Sequence, residues 1–228
     1  MFFDPMYFLF LAPGILLALW AQARIHSAYH HASRIRAASG YTGAQTAAAL
    51  LHTAGVTGVH IETVPGQMTD HYSPSEKTLR LSPEVYQGQS LAALGIAAHE
   101  AGHAIQDAQR YSPLVIRNLM VPLAMFGSNA AWILLILGFS LQLAGLIYLG
   151  IAVFGLTVLF QLVNLPVEFD ASRRARQMLL AGGLVTQEED EEVARVLNAA
   201  AMTYVAATLT AVLTLLYFLF RAGAFNRR

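Results

Sequence analysis

Residues 117–168 read RNLMVPLAMFGSNAAWILLILGFSLQLAGLIYLGIAVFGLTVLFQLVNLPVE, and no side chain between Arg117 and Glu168 is charged. One helical crossing of a hydrocarbon layer about 30 Å thick takes roughly twenty apolar residues, so this run is long enough for two. The break around Gln142–Gly145 supplies a tight turn, and residues 119–141 and 143–165 are expected to form a transmembrane hairpin. A hairpin brings its ends back together. The chain before Arg117 and the chain after Leu165 should therefore meet at one membrane face.

The rest of the composition agrees. Of 228 residues, 56% are hydrophobic and 12% charged, with a mean hydropathy of +0.49; a soluble domain carries about a quarter charged residues. Two further segments are long and apolar enough to cross a membrane. Residues 6–23, MYFLFLAPGILLALWAQA, lack an early basic region and a small-residue cleavage site, so an anchor is expected, with Pro13 kinking it but not ending it. The other, about 201–220, follows a polar helix that starts at Thr186 with Glu189 three residues on, a capping box. That helix and the span can be one rod. The organisation expected is a first transmembrane helix in 1–23, an extramembrane catalytic region in 24–118, the hairpin in 119–165, extramembrane helices in 166–200, and a last transmembrane helix and tail in 201–228.

Charge narrows the partners. Fourteen basic and fourteen acidic residues cancel, and no segment joins clustered Lys/Arg to stacking aromatics, so nucleic acid is not an expected partner. A lipid bilayer is. Cysteine is absent, so any metal must sit on His, Asp or Glu. Seven Lys or Arg fall in 24–118 and four in 168–200, against none in the hairpin turn, which places both polar regions in the cytoplasm of a multi-pass cell-membrane protein. Arg221, Arg227 and Arg228 dissent, because four spans would leave them outside.

Within 24–118, residues 24–39 read as helix. A second helix, about 43–54, starts after Thr42 and stops at Gly55. The period then changes: Val59, Ile61 and Val64, then Leu79 and Leu81, lie in β-prone runs broken by PG at 65–66 and SPSEK at 73–77, the punctuation of a short hairpin. Ser90 caps the helix that follows.

That helix contains AHEAGHAIQD at 98–107. His99 and His103 are four apart, so on a helix they project from one face and can offer two imidazole nitrogens to one ion. Glu100 is placed to take a proton from water while the ion polarises a carbonyl, the chemistry of H-E-x-x-H hydrolases. Catalytic zinc usually takes three protein ligands. The metzincin continuation would need Gly at 106 and His at 109, and Gln stands at both. Glu168, returned by the hairpin to the face of Arg117, is able to meet the two histidines. It also reads as a carboxylate at the first turn of a new helix opened by Pro166. Asp107, one turn beyond His103, is a candidate to hold an imidazole N–H.

HEAGHAIQDA, with GQMTDHYSPSEKTLRLSPEVY upstream, the apolar hairpin, and LPVEFDASRRA downstream, resembles the YugP-like membrane zinc metallopeptidases, from the first span to TYVAA. More distantly the chain is similar to the HtpX-type membrane gluzincins. The resemblance implies Zn2+ on His99, His103 and Glu168, with Glu100 as general base. It implies a mainly α integral membrane protein: about four transmembrane helices plus a small α+β zincin-like region carrying a short β-hairpin at the membrane surface. HtpX-type proteins have Asp four residues beyond the third ligand, where Ser172 stands here; Ser172 or Asp170 is expected to replace that contact.

In this class an extended segment beside the motif helix can pair with a peptide by strand addition. His71 and Tyr72, ahead of a predicted strand at 78–82, are candidates to bind substrate or to donate to the oxyanion, with a metal contact from His71 a lesser alternative; a water-facing turn also explains them. His26, His30 and His31 contain an i, i+4 pair that a juxtamembrane helix surface accounts for, and His52 and His60 are isolated. Small residues, Gly138 and Gly145 to Gly155, suggest close helix contacts. The function expected is a zinc endopeptidase at the cytoplasmic membrane surface, acting on unfolded or membrane-associated polypeptide, with a homo-oligomer compatible. Two alternatives are a catalytically silent metal-binding scaffold and a site-two-type intramembrane protease, the second weakened because 91–106 is about 24 Å long.

Overall fold

The computed structural model describes residues 4–223. In order these form α1 (Pro5–Ala32), α2 (Gly43–Thr53), β1 (His60–Thr63), β2 (His71–Ser73), β3 (Thr78–Leu81), α3 (Pro83–Tyr86), α4 (Leu91–Ala108), α5 (Ser112–Ser140), α6 (Ala144–Ala181) and α7 (Gln187–Arg221). The chain is mainly helical, and α1, α5, α6 and α7 are each long and apolar enough to cross a membrane. The described residues fall into two compact units, one from 4–21, Val115–Leu165 and 203–223, the other from Gln22–Leu114 and Pro166–Met202.

The first unit is built from apolar helix. Leu135, Ile151, Tyr217 and Phe218 are buried at its centre, and Trp132 meets the Phe218 ring edge-on at 5.4 Å. Outward-facing side chains are as apolar as the core: Phe126 is 79% exposed and Leu119 72%. Such a surface is costly in water and suits lipid. Thr208, Thr210 and Thr214 return their hydroxyls to carbonyls four residues back, at 2.8, 2.8 and 2.7 Å, so these three hydroxyls are satisfied within their own helix. The hairpin turn is Leu141–Leu143, with Gln142 at φ 55°. At Gly138 a Cβ would lie 2.8 Å from the Ile147 nitrogen, and at Gly150 2.8 Å from Leu135, so both glycines let α5 and α6 close up. Gly145 and Gly155 face open space instead, and the close contacts expected there are absent.

The second unit has its own core. Leu79, Leu81, Leu91, Leu94, Ala97, Ala98 and Ala101 are fully buried, together with Ala175, Leu179 and Val193. The expected caps are present: Thr42 and Gln45 make a reciprocal box on α2, Ser90 accepts from the Ala93 N–H at 3.2 Å, and Thr186 and Glu189 bond each other's backbone at the start of α7. Asp190, 1% exposed, takes a two-pronged contact from Arg176 and so ties α7 to α6. Removing one side of such a pair strands a buried charge at a cost of about 3–5 kcal/mol.

Three expectations change. The sheet has three strands in the order β1-β3-β2, with β1 parallel to β3 and β2 antiparallel to it. The hairpin therefore joins 71–73 to 78–81, and the 59–64 run crosses over to the far side of β3; alternating apolar residues marked strands but not partners. The helix read at 24–39 ends at Ala32 and is continuous with the first span. Pro166 does not open a new helix: it lies inside α6. Its missing N–H leaves the Leu162 carbonyl without a helical donor, yet Val167, Ala171, Ala175 and Leu179 form one buried i, i+4 stripe just beyond, and packing of that stripe keeps the helix going.

Candidate metal centre

Helix α4 presents its small residues to the core and its histidines to α6. Gly102 lies between the histidines, and a Cβ there would stand 2.9 Å from the Ala171 carbonyl oxygen of α6. Only glycine permits that approach. It brings the face carrying His99 and His103 against the turn of α6 that carries Glu168. The two rings sit one above the other, 4.7 Å between centroids and nearly perpendicular. Both Nε2 atoms face the same carboxylate oxygen: Oε2 of Glu168 is 3.3 Å from His99 and 3.5 Å from His103. One donor atom from each of the three residues lies within 4.8 Å of the others. Among the described residues this is the one group of three His, Cys, Asp or Glu side chains so arranged.

The outward nitrogens are occupied. His99 Nδ1 is 3.1 Å from Ser172 Oγ. His103 Nδ1 is 3.0 Å from Gln106 Oε1, and the amide nitrogen of Gln106 donates to the Val167 carbonyl and to Asp170 Oδ2, both at 2.9 Å. Asp170 is held in turn by Arg173 and Arg174. Glu168 and Asp170 are 3% and 4% exposed, and Glu100 is buried on α4. Burial presses the His103 imidazole down, but the hydrogen bond to Glu168 and the charges of Glu100 and Glu168 outweigh it and hold the pKa above its ordinary value.

Such a donor set fits a divalent ion of zinc type. With each Nδ1 bonded outward, the two Nε2 atoms and a carboxylate oxygen converge, and these groups favour a cation among them. Cysteine is absent, so any ligands would all be nitrogen and oxygen, as in the His2Glu class of catalytic site.

Of the two candidates to stand behind a histidine, Ser172 touches one directly, His99. Asp170 reaches His103 only through Gln106. Asp107 does not back an imidazole: its Oδ2 accepts from the Tyr72 hydroxyl at 2.7 Å and from Lys77 at 2.6 Å. It thereby ties the β2–β3 hairpin to the end of the motif helix, and burial together with this bond pushes the Tyr72 phenol well up. His71 is on β2, exposed, with Nδ1 against the Thr69 carbonyl at 2.8 Å. Gln106 is the residue that sequence reading passed over, weighed only as the wrong residue for a metzincin. Its position three residues after His103, on the same helix face, was the available signal.

Comparison with known proteins gives the family. Residues 7–223 match the family described as "Putative neutral zinc metallopeptidase", and the chain belongs to that family. It is 44% identical over 214 residues to "Putative membrane protease YugP" of Bacillus subtilis (strain 168), covering 93% of this chain and 95% of that protein. No solved structure matches it.

Proposed function

We propose that the protein is a membrane-seated zinc endopeptidase in which His99, His103 and Glu168 hold the ion and Glu100 is the general base. The observation that carries this reading is the convergence of both imidazole Nε2 atoms on one Glu168 oxygen, with both Nδ1 atoms bonded elsewhere. When bound, zinc would polarise a peptide carbonyl and acidify the water that attacks it. Glu100 takes the proton of that water and passes it to the leaving amine, the double duty of a single carboxylate in general acid–base catalysis. Its burial keeps bulk water from competing for the proton.

Strand β2 is an edge of the sheet and packs on α4, so an extended peptide adding to it would lie beside the motif helix. The Tyr72 hydroxyl is committed to Asp107, which makes Tyr72 a fastener of this strand. His71 donates to the Thr69 carbonyl through Nδ1, so it can donate to an oxyanion through Nε2 only as an imidazolium. The seven Lys and Arg of 24–118, against none in the hairpin turn, favour a cytoplasmic site, and the four apolar helices favour substrates at the membrane, unfolded or membrane-associated. Helix α4 is not among the four helices long and apolar enough to span, which disfavours an intramembrane protease.

Glu100→Gln tests the mechanism in detergent-purified protein with unfolded casein as substrate. Cleavage should fall by at least about a hundredfold while zinc content stays unchanged. Full activity in the variant sinks the mechanism, and a wild-type protein that binds zinc but cleaves nothing is the metal-binding scaffold instead.

A further inference from the structure

The two imidazoles are held by different kinds of partner. Gln106 is fully buried, and the orientation of its amide is forced. The Val167 carbonyl and the Asp170 carboxylate, each 2.9 Å from Gln106 Nε2, can only accept hydrogen bonds, so the NH2 group must face them. Its oxygen then faces His103 Nδ1, 3.0 Å away, and an amide oxygen can only accept. A proton of His103 is thereby fixed on Nδ1, which leaves Nε2, the nitrogen facing Glu168, as the one that can ligate. His99 has no such constraint, because the Ser172 hydroxyl can donate or accept.

We infer that Gln106 is the positioning residue of the metal centre: it fixes His103 in the one tautomer that can ligate and joins the motif helix α4 to the ligand-bearing turn of α6. A carboxylate usually does this in direct contact with the ring. Here the carboxylate of Asp170 stands one amide further out, held by Arg173 and Arg174, so the ring receives a neutral acceptor whose direction a buried charge enforces. One side chain thus bonds a metal ligand on α4 and the backbone and carboxylate on either side of Glu168, so the spacing of the two helices and the tautomer of His103 are set together. This rests on zinc being bound by His99, His103 and Glu168.

The test is zinc affinity by competition with a chromogenic chelator, measured on the full-length protein in detergent, with thermal unfolding of the metal-free form as a control for folding. Gln106→Leu keeps the volume and removes both ends of the relay; it should weaken zinc by about 10–100-fold, as loss of a ligand's hydrogen-bond partner does elsewhere. It should also shift the visible absorption of the cobalt-substituted protein, which reports ligand geometry. The double variant Gln106→Glu/Asp170→Asn reverses the amide and the carboxyl, so that one oxygen at 106 again accepts from His103 Nδ1 while the other, protonated, donates to the Val167 carbonyl and accepts from the amide at 170; affinity and the cobalt spectrum should recover relative to Gln106→Leu. A role in core packing alone predicts no such recovery. Wild-type zinc affinity in a stably folded Gln106→Leu protein overturns the inference and leaves the proposed function intact, as does a double variant no better than the single one. A wild-type protein that binds no zinc overturns both.

Discussion

Two pairs of histidines stand four residues apart on helices of this chain, His26/His30 on α1 and His99/His103 on α4, and their rings are arranged almost alike. The centroids are 4.3 Å apart at 82° in one pair and 4.7 Å apart at 84° in the other. The surroundings are not alike. His26 and His30 are exposed and spend their Nε2 atoms on each other, 3.0 Å apart. His99 and His103 keep their Nε2 atoms for Glu168, because Ser172 and Gln106 engage the opposite nitrogens. Spacing on a helix makes a pair of ligands available; a third donor and partners behind the rings turn the pair into a site.

That contrast can be broken most sharply at the third donor. Glu168→Ala leaves His99/His103 in the condition of His26/His30, and the variant should lose stoichiometric zinc after dialysis and all measurable casein cleavage; retention of either means that Glu168 is not a ligand. A smaller loss is expected at Gly102. Alanine there puts a methyl 2.9 Å from the Ala171 carbonyl, and overpacking of this kind costs about 1–3 kcal/mol. Thermal unfolding should move down and zinc should bind more weakly, since α4 and α6 are forced apart; an unchanged melting curve would show that the helices have room to spare.

Smaller again is the effect expected at Asp107, which touches neither ring. Asp107→Asn keeps a bond to Tyr72 but weakens the attraction to Lys77, so kcat/KM should fall a few-fold through KM, with zinc content unchanged, if the hairpin guides the substrate. Loss of zinc in this variant would make Asp107 part of the metal centre after all.

The comparison also shows how far the residues alone carry the reading. The charge-free run between Arg117 and Glu168 marked the hairpin because length and polarity suffice for a lipid crossing, and the H-E-x-x-H spacing marked the face that meets Glu168 because helical geometry is local. Thr42, Ser90 and Thr186 were legible as caps for the same reason. Non-local facts were not. Whether the 59–64 run pairs with β3 parallel or antiparallel depends on the path of the intervening chain, and whether Gly138 or Gly145 touches a neighbour depends on how α5 faces α6. Pro166 looked like a helix start until the buried stripe beyond it was seen. Gln106 was invisible as a partner because its contacts, Val167 and Asp170, are some sixty residues away in sequence.

The most direct test of the central claim, that one ion is held by the backed pair and not the exposed one, is the zinc content of two double variants after dialysis. His26→Ala/His30→Ala should keep about one zinc per chain, as the wild type does, and retain casein cleavage, whereas His99→Ala/His103→Ala should retain neither. Loss of zinc from the first variant, or a full complement in the second, would contradict the account.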